Sequence, residues 1–286
     1  MRILVRNYTS TTSTQSQYLT YELQKVPNVE AGLWNGEGSL YDAFDQFKPD
    51  LLITHGSAIR NDLVSYLKDV DTPHLKLAIC LNGMSSQSAT ELEELLRRLN
   101  LADNVAVYYS SRNHQHLPKL KKNVLPLMEA ADEKAVSQAP PPYHIETCVV
   151  VDRESEAEGE YGRSYHFVSS NPELQDKVDI VLPCGQLAQM FKNYDRVIIK
   201  YPTSSVTQHF FDAVLAGGRP VFHCKNAYAK EQIGGLCQKL FGFSCVDGEE
   251  VDHEAVRKIV LEKHMPANRV KTLISQLPIN QRFFEL

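Results

Sequence analysis

The sequence predicts an α/β protein made of two Rossmann-like halves, each a doubly wound parallel sheet, facing one another across a cleft. Short apolar runs alternate with longer amphipathic segments along the whole chain. That is the pattern of βαβ units whose sheets are covered on both faces. A polar stretch ending in Pro140-Pro141-Pro142 interrupts the alternation, which then starts again. Such a stretch reads as a linker. The expected halves are residues 1–135 and 143–286, with the C-terminal helices free to pack back on the first half. At 286 residues the chain suffices for two domains of ordinary size.

In order, Arg2 to Arg6 reads as a strand and Gln15 to Lys25 as a helix after a Ser/Thr-rich loop. Gly32 to Trp34 fits a short strand, and Leu40 to Phe47 a short helix. Asp50 to Thr54, Leu75 to Leu81 and Asn104 to Tyr109 are apolar strands. Helices are expected at Ile59 to Lys68 and at Thr90 to Leu99, the second with strong charge patterning on one face. In the second half the candidate strands are Thr147 to Val151, Val178 to Leu182, Arg196 to Lys200, Pro220 to Cys224 and Phe243 to Val246. The helices between them run from Gln186 to Asn193, Val206 to Ala216 and Tyr228 to Phe241. From His253 on the chain reads as helical, with a break at Pro266. Asp152 to Gly162 is acidic and reads as a solvent loop.

Composition narrows the class. Apolar residues make up 43% and charged residues 23%, as in a folded globular chain. No apolar run reaches the roughly 18–20 residues that span a bilayer. Met1 leads directly into a strand, so no signal peptide is expected. None of the six cysteines forms a C-x-x-C pair, and several sit inside apolar runs. They read as reduced, buried thiols, and the expected location is the cytoplasm. A net charge of −5 speaks against a non-specific nucleic-acid binder. No zinc spacing, P-loop, G-x-S-x-G elbow or G-x-G-x-x-G fingerprint is present, so no metal or bound cofactor is expected.

The most informative stretch runs from Tyr201 to Phe222. The strand ending at Lys200 leads into Thr203, Ser204, Ser205 and Thr207. A helix with an apolar face of Phe210, Phe211, Val214 and Leu215 follows, closed by Gly217-Gly218. Hydroxyls at a helix N-terminus suit both capping and the binding of a phosphate.

This stretch resembles the donor loop and helix of GT-B-fold glycosyltransferases. Val178 to Pro183, then Gly185 to Phe191, resemble the family's preceding strand, glycine and helix. Leu125 to Asp132 resembles its interdomain segment. The resemblance implies a glycosyltransferase whose second half binds a nucleotide-sugar, without metal, while the first half holds an unidentified acceptor. The positions where many retaining members carry glutamates hold Ser204 and Asp212 here.

The candidate donor and phosphate ligands are therefore Lys200, Thr203, Ser204, Ser205 and Thr207, with Gly185 and Arg163 beside them. Asp212 is suited to bond a sugar or ribose hydroxyl, or to offset the helix dipole. His55 stands at the carboxyl end of a strand, the edge that lines ligand crevices in open α/β sheets. It is the candidate base, which would invert the anomeric centre. Asn7, Thr9, Ser10 and Asn82 lie at the same expected edge and are candidate acceptor ligands. A sugar-nucleotide epimerase or hydrolase, a non-catalytic sugar- or nucleotide-binding module, and a DNA-modifying glycosyltransferase fit the same fold.

Overall fold

The computed structural model describes residues 1–7, 14–59, 62–69, 74–82, 84, 86–110, 124–136, 147–153, 164–169, 180–181, 191–192, 194–200, 206, 208–224, 226–246, 248–249 and 251–277. Two compact units form. The first comprises Met1–Leu127 with Arg269–Leu286, and the second Met128–Asn268. Residues 128–135, assigned by sequence to the first half, thus fall in the second unit.

The first unit holds β1 (Arg2–Arg6), α1 (Thr14–Gln24), β2 (Glu30–Trp34), α2 (Leu40–Phe47), β3 (Leu51–His55), α3 (Asp62–Asp69), β4 (Lys76–Cys80), α4 (Ser86–Arg98), β5 (Val105–Ser110) and β6 (Val124–Pro126). The strand order is β2-β1-β3-β4-β5-β6, and every pairing is parallel. Successive side chains of a strand point to opposite faces. Ile3, Val5, Leu51 and Ile53 accordingly pack on one face with Leu23 of α1 and with Val270, Leu273 and Leu277. Leu4, Leu52, Leu77 and Ile79 pack on the other, with Phe44 of α2, Leu63 of α3 and Leu92 of α4. A register shift between Leu77 and Ala78 sets Val105 against the first of them and Val107 against the second. Both faces are therefore covered, as a parallel sheet requires. The sequence did not indicate β6, a three-residue edge strand that continues the sheet.

The second unit departs from expectation. It holds β7 (Thr147–Arg153), β8 (Ser164–Ser169), β9 (Ile180–Val181), β10 (Arg196–Lys200), α5 (Gln208–Leu215), β11 (Arg219–His223), α6 (Ala227–Phe241) and α7 (His253–Lys263). A further helix, α8 (Pro266–Gln276), follows. The strand order is β11-β10-β7-β8-β9. β11, β10 and β7 are parallel, but β7 to β8 and β8 to β9 are antiparallel. The expected all-parallel second sheet is thus corrected to a mixed one. Residues 154–163 join β7 to β8 and are fewer than the dozen or so that a parallel crossover needs. Phe243 to Val246 contributes only a bridge from Val246 to Phe222. No helix among the described residues is long and apolar enough to cross a membrane.

All eight residues of α5 are buried. Phe210 stacks on Phe222 and Phe241 with centroids 4.8 and 5.5 Å apart. The helix ends as the glycine pair implies. Gly217 takes φ +90°, its N–H meets Val214 O at 3.1 Å, and Gly218 N–H meets Ala213 O at 2.9 Å. This is a Schellman motif. A Cβ on Gly218 would lie 3.1 Å from Ala213 O and 3.2 Å from Tyr194 O. Gly217→Ala is expected to cost about 1–2 kcal/mol, the penalty of a side chain in the left-handed region. Urea unfolding followed by circular dichroism measures it.

Candidate functional site

In the first unit the strand order reverses at β1, with β2 on one side and β3 on the other. In open α/β sheets ligands bind outside the carboxyl ends of the strands at such a point. Val5 pairs with Ile53, so Asn7 and His55 stand level, each two residues further on. His55 in turn pairs with Cys80 of β4, and Asn82 follows two residues later. Three of the residues singled out from sequence are thus brought to one edge, on three adjacent strands.

Asn7 is 9% exposed. Its N–H donates to Trp34 O at 2.9 Å, and its Nδ2 reaches Asn35 Oδ1 at 3.4 Å. Its Oδ1 is buried and has no hydrogen-bond donor among the described residues. His55 Nε2 contacts the main-chain oxygen of Asn82. The Asn82 side chain is held in turn, its Oδ1 accepting from Ser110 Oγ at 3.0 Å. Gly56 follows His55 because α4 packs close there. A Cβ would sit 2.3 Å from Met84 Sδ and 2.8 Å from Leu92 Cδ2.

Two further residues of this edge escaped the sequence reading. Arg6 donates from Nη1 to Ala58 O at 2.9 Å, and its guanidinium lies 4.9 Å from the Trp34 ring centroid. Its signal was a charged residue closing an apolar strand. Ser110 is fully buried at the end of β5. A serine in that place carries no motif. Thr9 and Ser10 lie outside the described residues.

In the second unit, Thr203, Ser204, Ser205, Thr207, Gly185 and Arg163 also lie outside the described residues. Lys200 closes β10, so its backbone stands at the carboxyl end of that strand. At the start of α5 the structure seats an anion of the chain's own. Glu129 Oε2 accepts from Gln208 N–H at 3.0 Å. A phosphate at this N-terminus would share it with Glu129.

Asp212 corrects the sequence reading in a second way. It is 1% exposed, and its Oδ1 accepts the Asp132 N–H at 2.6 Å. It is thus tied to the backbone rather than presented to a sugar or ribose hydroxyl. Burial pushes its carboxyl well above the usual carboxylate range, against the lowering effect of the Asp132 N–H, while the nearby Asp132 and Glu129 carboxylates raise it further. A neutral acid suits this place, because an unpaired buried charge would cost far more. Asp132 is itself fully buried. Among the described residues no three His, Cys, Asp or Glu side chains are grouped to hold a metal.

No family model and no curated protein matches the sequence. A solved structure, the spinosyn forosaminyltransferase SpnP, is similar at 12% identity, over 96% of this chain and 94% of that one, with a TM-score of 0.39. Those figures establish neither a shared fold nor a shared activity.

The raised Asp212 carboxyl fixes the sign of a pH effect. The folded chain keeps a proton that the unfolded chain releases near pH 4, at about the ordinary aspartate value. The folded state therefore binds more protons, and stability is lost as pH rises from there toward the folded value. Asp212→Asn retains an acceptor for Asp132 N–H and cannot ionise, so its stability should hold steady over that range. Asp212→Ala should lose about 1–3 kcal/mol at the acidic end, having orphaned that N–H. Urea titrations from about pH 5 to pH 9 make the comparison.

Proposed function

We propose that the chain is a glycosyltransferase that moves a sugar from a nucleotide-activated donor to an acceptor hydroxyl held by the first unit. The observation that carries this reading is the edge at β1 and β3. There a buried amide oxygen, Asn7 Oδ1, has no donor among the described residues, level with a histidine whose Nε2 meets the main-chain oxygen of Asn82. Leaving such an oxygen unsatisfied costs about 1–3 kcal/mol. A hydroxyl of a bound ligand would supply the missing proton.

On this reading Asn7, Thr9, Ser10 and Asn82 hold the acceptor, and His55 accepts its hydroxyl proton. The oxygen attacks the anomeric carbon as the bond from that carbon to the phosphate oxygen breaks. The nucleoside diphosphate leaves with the electron pair, and the anomeric centre inverts. Lys200, Thr203, Ser204, Ser205 and Thr207, with Gly185 and Arg163, hold the diphosphate. Asp212 acts from behind, as a positioning residue for the start of α5. The GT-B architecture and the metal-free diphosphate site belong to the same proposal and rest on the resemblance of the segment from Val178 to Cys224; the proposed cytoplasmic location rests on cysteines that form no C-x-x-C pair and sit inside apolar runs.

Two measurements test it. Melting the chain with a panel of nucleoside diphosphates and their sugars should raise the transition for at least one of them by a few degrees, as mass action requires. Stabilisation without consumption of any sugar would favour a binding module. In a nucleotide-release assay His55→Gln should lose about 100-fold or more in kcat, the usual worth of a general base. Undiminished turnover would remove His55 from the mechanism.

A further inference from the structure

We infer that Cys237 and Cys245 are a thiol pair that a small-molecule disulfide oxidises, with Cys224 as the thiol through which the reagent enters. All three belong to the second unit and are free cysteines. On α6, Gly234, Cys237 and Phe241 follow one another at spacings of three and four residues, so they share one face of the helix. That face packs onto β11 and the segment after α6. Phe241 stacks on Phe210 with centroids 5.5 Å apart, and Phe210 stacks on Phe222 of β11. A Cβ on Gly234 would lie 3.4 Å from Ser244 Oγ and 3.8 Å from Val246 Cγ2. The residues on either side of Cys245 thus come close to α6 one turn before Cys237. Cys245 is itself tied to β11, its carbonyl accepting the Phe222 N–H at 2.9 Å.

Cys237 and Cys245 are fully buried in one apolar cluster, and their thiols meet there. Cys224 stands two residues beyond Phe222, packs against the same cluster beside Cys237 and is only partly buried. Burial pushes the Cys224 thiol up, and the contact with Cys237 together with burial does the same for Cys245. A disulfide carries no charge, so it suits this core. Exchange begins at the partly exposed sulfur. The Cys224 thiolate attacks one sulfur of the reagent, and the other half leaves and takes up a proton as a free thiol. Cys237 then attacks Cys224 Sγ and expels the second half as a thiol. Cys245 attacks Cys237 Sγ and returns Cys224 to its reduced form. Two electrons and two protons pass from Cys237 and Cys245 to the reagent.

The test treats the folded full chain with oxidised glutathione and maps its tryptic peptides without reduction. Trypsin cuts after Lys225, Lys230, Lys239 and Arg257, so Cys224, Cys237 and Cys245 fall on separate peptides. Wild type should end with the peptides of Cys237 and Cys245 linked and with Cys224 free. Its melting transition should rise by a few degrees, because the new bond closes a loop in the unfolded chain. Cys224→Ser should form the same link about tenfold more slowly, since access limits the exchange. Cys237→Ser should hold glutathione on Cys224 and show no rise in melting. A wild-type chain whose Cys237 and Cys245 stay unlinked when folded, or link only in urea, overturns the pair without recourse to any variant. So does a final product that joins Cys224 to Cys237. A Cys224→Ser chain that oxidises as fast as wild type overturns the entry role of Cys224.

Discussion

The six-stranded parallel sheet of the first unit must be covered on both faces, and most of what is distinctive about the unit follows from that. The strand interiors are apolar on both sides, apart from the buried Thr54 of β3. Ile3, Val5 and Ile53 face one layer of helices, and Leu4, Leu52 and Leu77 face the other. The other polar side chains stand at the strand ends. Arg6, Asn7, His55, Asn82 and Ser110 all stand where an apolar run stops. At the carboxyl edge they meet, because parallel strands bring all such ends to one side. The chemistry proposed for this chain uses that carboxyl edge.

The second unit meets a different demand. Its central helix, α5, is buried along its whole length, so its end groups need partners from within the unit. Glu129 takes the N–H of Gln208 at the start. Arg257 donates from Nη1 to Val214 O and Leu215 O, at 2.9 and 2.6 Å, at the end. In between, Asp212 receives the Asp132 N–H, and Ala131 N–H bonds His264 O at 2.9 Å. Residues 129–132 are thereby stitched to α5 and to the end of α7. Asp212 is part of that stitching, its carboxyl pushed well above the usual carboxylate range by burial.

Periodicity made much of this legible. The alternation of apolar runs located β1, β3, β4, β5 and β10 to within a residue or two. The glycine pair closed α5 where the structure closes it. The strand ends put His55, Asn7 and Asn82 at a common edge. What stayed hidden depends on contacts distant in sequence. The antiparallel pairing of β7 with β8 goes with a connection too short for a crossover, yet the acidic residues of that connection read simply as a loop. The segment from Met128 to Ala135 read as the end of the first half, because its bonds to α5 and to the end of α7 join residues distant in sequence. Asp212 read as a carboxylate suited to a sugar or ribose hydroxyl or to the helix dipole, since one helix cannot reveal that all of its sides are covered. Ser110 gave no signal, because a serine becomes informative only when its neighbour across the sheet is known.

The central claim is that the open carboxyl edge of the first sheet is where this chain holds its acceptor. Hydrogen–deuterium exchange of the full chain, with and without a nucleotide sugar that stabilises it and an acceptor that it consumes, tests this directly. The account predicts that the acceptor slows exchange in peptides covering the carboxyl ends of β1, β3 and β4, around Asn7, His55 and Asn82. Slowing confined to the amino ends of those strands, or to the second unit alone, would contradict it.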